Sequence, residues 1–162
     1  MTPKRMANLP KVPWITADGA LDPAKLPIDS VLQQCVQGDP DKLRSGCRTL
    51  SMMAYYGRVD AAVFLLGLLR YYEDEWSILE AVVEGLSSFR DPRCAAALFG
   101  ELRRVKSSNT TRRYLGVVIR TLTQFPREMV RERFLDLAED PAYTYRMRAK
   151  FSAAAEGVVG YW

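Results

Sequence analysis

The sequence predicts an all-α chain: stacked helical hairpins preceded by an extended arm. Three observations carry that prediction. Tyr56, Phe89, Phe125 and Tyr161 each close a helical segment, at intervals of 33, 36 and 36 residues. Around them apolar residues recur at steps of three and four, which gives each segment one apolar stripe. No stretch alternates polar and apolar residues over the length a strand needs.

Residues 1–27 stand apart from the rest. Pro3, Pro10, Pro13, Pro23 and Pro27, with Asp18 and Gly19, interrupt any regular element. The segment reads as an extended Pro-rich arm anchored through Trp14, or as a disordered tail. The helical domain then occupies 28–162. Its first helix starts at Asp29 or Ser30 and stops before Gly38, the N-cap and C-cap residue types respectively. Pro40 and Asp41 open a second helix that reaches Tyr56, and Gly57 breaks it. A third helix runs from Asp60 to Arg70. The acidic turn Glu73-Asp74-Glu75 leads into a fourth over Trp76 to Ser88, where carboxylates complement the positive end of the helix dipole. Asp91-Pro92 supplies an N-cap and a proline at the first helical position for a fifth helix, ending near Val105. Ser107, Ser108, Asn109 and Thr110 form a turn before a sixth over Arg112 to Gln124. Pro126 opens a seventh that ends at Ala138. Asp140-Pro141 leads to the eighth, from Tyr145 to Val159.

Alignment makes the repeat concrete. Val82, Val83, Leu86 and Phe89 fall on Val118, Ile119, Leu122 and Phe125 at an offset of 36, and Leu115, Val118, Ile119 and Leu122 fall on Phe151, Ala154, Ala155 and Val158. At an offset of 33, Leu50, Met53 and Tyr56 fall on Val83, Leu86 and Phe89. In the returning helices Leu65 and Leu69 match Leu98 and Leu102, while Cys94 and Leu98 match Val130 and Phe134. A single hairpin cannot bury such a stripe, whereas stacked neighbours can.

The stretch from Leu79 to Leu98 contains a helix, the corner Phe89-Arg90, the turn Asp91-Pro92-Arg93 and a helix rich in Ala and Leu. This unit resembles a HEAT-type repeat. Tyr56-Gly57-Arg58 and Phe125-Pro126-Arg127 keep the corner without the Asp-Pro. The resemblance covers residues 40–162 and implies a right-handed α-solenoid of about three and a half HEAT-like hairpins, ending on an open repeat at Tyr161-Trp162. It also implies that the returning helices line a concave face. Taken between the buried stripes, that face consists of Asp60, Phe64, Gly67 and Tyr71, then Arg93, Ala97, Gly100 and Arg104, then Met129, Arg133 and Asp136. Small residues at Gly67, Ala97 and Gly100 admit a partner backbone, and aromatic and arginine side chains are enriched at binding hot spots. The bland alternative is that Phe64 and Tyr71 are covered by the arm.

Composition narrows the function classes. The chain has 162 residues, enough for one domain with a sizeable core, and is 48% apolar and 26% charged. Histidine is absent, which removes the commonest general base and a leading zinc ligand. Cys35, Cys47 and Cys94 form no Cys-x-x-Cys pair, and Cys94 aligns with a stripe position. No Gly-x-Ser-x-Gly elbow, phosphate loop or dinucleotide fingerprint is present. No apolar run reaches the roughly 18 residues of a membrane span, and no apolar stretch follows Lys4 and Arg5 as in a secretory leader. The expectation is a non-catalytic cytoplasmic module, an adaptor, scaffold or inhibitor, that binds another protein without cofactor or metal and self-associates through its open C-terminal repeat.

Charge supplies the alternative. Residues 1–100 carry 11 Lys and Arg against 12 Asp and Glu, and residues 101–162 carry 12 against 7. Arg103, Arg104, Lys106, Arg112 and Arg113 cluster near one inter-helix turn and would contact nucleic-acid phosphates. A solvated arginine-rich surface explains the same residues. Glu80 and Glu84, four apart, read as a solvated face.

Overall fold

The computed structural model describes residues 12–160 apart from Ser88. Pro3 and Pro10 of the expected arm, Ser88 at the expected end of the fourth helix and the Tyr161-Trp162 corner lie outside the described residues. Helices account for most of the rest: α1 Ile28–Val36, α2 Pro40–Tyr55, α3 Asp60–Tyr71, α4 Trp76–Leu86, α5 Pro92–Arg104, α6 Arg112–Leu122, α7 Arg127–Glu139 and α8 Tyr145–Ala155. Among the described residues there is no β-strand, only an isolated antiparallel bridge between Ile15 and Leu21. None of the helices is long and apolar enough to cross a membrane.

Local chemistry sets the helix ends. Asp39 caps α2 by accepting the Asp41 and Lys42 N–H groups at 3.0 and 3.4 Å, with Pro40 where no N–H is required. Asp91 does the same for α5 through the Arg93 N–H at 2.8 Å. The motif recurs at Asp22-Pro23, where the Ala24 N–H reaches Asp22 at 3.2 Å, and at Asp140-Pro141, where the Ala142 N–H reaches Asp140 at 2.9 Å. Helices α2 and α8 end alike. Gly57 and Gly157 take φ of 97° and 77°, and the next residues, Arg58 and Val158, donate back to Met53 and Ala153. Both are Schellman ends, which require a residue free to adopt positive φ. The expected extension of α8 to Val159 is therefore cut at Ala155, and Val158 is exposed instead of joining the stripe.

The acidic turn departs from expectation too. Glu75 occupies the N-cap of α4 without a side-chain cap bond, and the turn instead receives Arg104 on the Glu73 carbonyl at 3.0 Å and on Asp74 at 3.7 Å.

Consecutive helices pack as α1 on α2, α2 on α3, α3 on α4, α5 on α6 and α7 on α8, and from α2 onward alternate helices lie side by side. The leading helices α2, α4 and α6 approach one another closely, whereas the returning helices α3, α5 and α7 make fewer close backbone approaches. Gly85 of α4 shows why. A Cβ there would lie 3.3 Å from the Leu65 side chain and 3.5 Å from the Cys47 carbonyl oxygen, so a small residue lets α4 nestle against both α2 and α3. The aligned stripe positions Leu50, Val83 and Ile119, and Met53, Leu86 and Leu122, are all buried in one core. Leu65, Leu98 and Phe134 of the returning helices join it, and Phe134 packs between Phe99 and Phe151.

The described part of the arm is hooked, not extended. The Ile15–Leu21 bridge closes a turn, Pro23 is buried, and the 3-10 turn Pro23–Lys25 rests on α2. Arg58 fastens it by donating to the Leu26 and Ala24 carbonyls at 2.9 and 3.2 Å.

Candidate functional site

Two surface grooves lie on the two helix layers. The first, about 740 Å³, runs between α3 and α5. Gly67, Ala96, Ala97 and Gly100 form its floor, Val63, Leu66 and Leu69 its apolar wall, and Arg70, Arg93 and Arg104 stand around it together with Glu73 and Glu101. A Cβ added at Gly67 or Gly100 would meet nothing within 4 Å, so the space above both is open.

Five residues expected to bind a partner thus converge on one groove: Gly67, Arg93, Ala97, Gly100 and Arg104. The others flank it or lie elsewhere. Asp60 begins α3 and pairs with Arg58 at 2.9 Å. Phe64 is half-exposed, and Tyr71 is 65% exposed with its ring edge-on to Tyr72, so neither is covered by the described part of the arm. On α7, Met129 packs partly into the core, Arg133 lies over the Phe99 ring at 5.3 Å, and Asp136 is exposed.

Arg104 is not a free binding side chain. Its guanidinium donates to Glu101 at 2.7 and 3.1 Å and lies 5.8 Å from the Trp76 ring centroid. Glu101 is only 8% exposed and also accepts the Tyr114 hydroxyl at 2.7 Å. The Glu101 carboxylate holds the Arg104 guanidinium above its ordinary value, and burial, followed by the bond to Glu101, raises the Tyr114 phenol. This network ties α5 to α6, so Arg104→Glu would set two carboxylates against each other and perturb the fold as well as the groove.

The phosphate candidates divide between faces. Arg103 approaches Asp140 at 3.9 Å and Arg104 is held as described. Lys106 lies in the turn after α5, where its carbonyl accepts the Thr111 hydroxyl at 2.6 Å. Arg112 donates to Asn109 at 3.1 Å, and Arg113 pairs with Glu80 at 3.2 Å across the leading layer.

That leading layer carries the second groove, about 590 Å³, between α2 and α4. Arg44, Arg48, Met52 and Tyr55 line it from α2, Glu80 and Glu84 from α4, and Arg113 from α6. Glu80 is not the solvated residue expected: burial raises its carboxyl, and Arg113 opposes the shift. This groove lies outside the expected binding face, which took in the returning helices alone. The same offsets applied to the leading ones align Arg44, Ser77, Arg113 and Ala149, all of which line grooves on this side.

The thiols are shielded from solvent, and the bond from Cys47 lowers Cys35. All three cysteines are free and buried; burial pushes Cys94 up to about 11, and Cys47 is raised by its bond to the Cys35 sulfur and by burial. Among the described residues, no group of three or more Cys, Asp or Glu is arranged to hold a metal ion.

Fold and grooves together define an all-helical protein with a surface groove on each helix layer. No family model, curated protein or solved structure matches the chain.

Proposed function

We propose that the protein is a non-catalytic, cytoplasmic module that binds another protein, with the partner segment docking between α3 and α5. The observation that carries this reading is the open floor at Gly67, Ala97 and Gly100 beneath an apolar wall and between arginines. A partner backbone can approach such a floor closely, and Arg70 favours an acidic residue at one end of its apolar stripe, whereas Arg93 is already paired with Asp91 at 2.8 Å. Within the same reading the fold is a right-handed stack of HEAT-like hairpins, supported by the aligned positions that are buried together. The reading depends on the groove and not on which way the stack bends; the tighter packing of α2, α4 and α6 favours a bend toward their layer.

The test fills the groove without touching the core. Gly67→Leu with Gly100→Leu places side chains in open space and raises helix propensity. Proteins recovered with tagged wild-type chain from its native host are identified by mass spectrometry and compared with those recovered by the variant. Loss of a specific partner, with helicity retained, is expected. If the filled groove recovers the same set in the same amounts, the docking site is wrong.

A further inference from the structure

We propose that the face built by α2, α4, α6 and α8 is a second binding site, and that its ligand is single-stranded nucleic acid. This goes beyond the α3–α5 groove and does not depend on it.

Charge is the first observation. The groove between α2 and α4 holds Arg44, Arg48 and Arg113. It continues through Arg113 into a depression of about 590 Å³ that adds Arg112 and Arg120, and then into a smaller one beside α8 that adds Arg146 and Lys150. Three, two and two cations make seven on one continuous face, against the two carboxylates Glu80 and Glu84. Arg44, Arg48 and Arg120 are exposed and make no ion pair among the described residues. Lys150 is pushed below its ordinary value by burial and by the nearby positive charges of Arg146 and Arg112. Arg146 and Arg112 thus repel Lys150, and a line of phosphates would relieve that repulsion.

Shape and ring placement select the kind of polyanion. Tyr55, 74% exposed, lines the α2 end of the groove with Met52, and the edge of Tyr56 braces its ring at 5.3 Å. A held, exposed ring beside arginines is a stacking platform for an unpaired base. Glu80 and Glu84 lie between the arginines of α2 and those of α6. Carboxylates there repel phosphates but accept the exocyclic amino groups of bases, which a single strand can turn inward and a duplex keeps paired. An acidic protein would gain from the arginines and the ring, but the carboxylates would repel it.

The experiment is fluorescence anisotropy with labelled mixed-sequence oligonucleotides of roughly 12 to 16 nucleotides, single-stranded and duplex, at about 50 mM salt. Single strands should bind more tightly than duplex. The log–log salt slope should be about −3, corresponding to about four neutralised phosphates. Arg44→Glu with Arg120→Glu should weaken binding at least ~10-fold, and Tyr55→Ala about 10-fold through lost stacking. Arg70→Glu with Arg90→Glu makes the same change in net charge at residues that line none of these depressions and should leave affinity within about twofold. Gly67→Leu with Gly100→Leu should also bind normally, so failure of the protein-docking reading and failure of this one remain distinct. No binding at low salt, duplex bound as tightly as single strand, an equal loss in the Arg70/Arg90 variant, or equal competition by polyglutamate would each overturn the proposal.

Discussion

Removing one oxygen tests the network that joins the two layers. Tyr114 is fully buried, its hydroxyl donates to Glu101 at 2.7 Å, and its ring packs 5.3 Å from Trp76. Tyr114→Phe keeps the ring and deletes a hydrogen bond to a nearly buried carboxylate, a change worth about 1.5–3 kcal/mol. At about 2–4 °C per kcal/mol for a chain of this size, the midpoint of thermal unfolding should fall by roughly 3–12 °C. Urea denaturation at neutral pH measures the free energy directly. A double-mutant cycle with Glu101→Gln should return a coupling of about 1 kcal/mol or more. The pH dependence has a defined sign. Burial and the bond to Glu101 raise the folded phenol above its ordinary value of 10.0, so this stability is fully present below about pH 10 and is lost as pH rises further. Tyr114→Phe should flatten that alkaline limb. A stability change below about 0.5 kcal/mol, or no coupling to Glu101, would refute the assignment of the bond as a support of the fold.

Further outcomes follow from the caps and the glycines. Asp91→Ala should cost about 1 kcal/mol by removing the cap on the Arg93 N–H, measurable by denaturation. Gly46→Ala should destabilise by about 1–3 kcal/mol despite better helix propensity, because its Cβ would sit 2.5 Å from the Cys35 sulfur and 3.3 Å from the Val31 carbonyl oxygen. Gly100→Ala, in open space, should instead stabilise by about 0.5–1 kcal/mol, and a destabilisation there would contradict the open floor.

Helix positions were legible because their punctuation is local: an Asp before a Pro, a Gly after the last stripe residue, a stripe that repeats every turn. The register was legible because Val83 and Ile119, or Leu98 and Phe134, do the same packing job one repeat apart. What escaped was set by partners distant in sequence. Arg104 and Glu101 are three apart, a spacing that signals an ion pair on a helix, but Tyr114 comes from the next helix and turns that surface pair into a nearly buried network. Arg103, Arg104, Arg112 and Arg113 are close along the chain, yet the turn between α5 and α6 sends Arg104 to one groove and Arg113 to the other. Tyr56 and Phe125 close aligned corners, but Phe125 is buried and Tyr56 exposed, and only the packing at each corner decides which.

The spacing of the last two helices bears on how the molecule breathes. Helices α7 and α8 pack on each other more extensively than any other pair, while α8 touches α6, and α7 touches α5, only sparingly. Arg127 and Arg131 of α7 both bond Glu156 just beyond α8, which ties the pair further to itself. A hairpin held together better than it is held to the body opens as one unit. Its amides should exchange with solvent in concert and sooner than those of α4 and α6, and each opening would bare the edges of Phe99 and Ile119 before any other part of the core sees water.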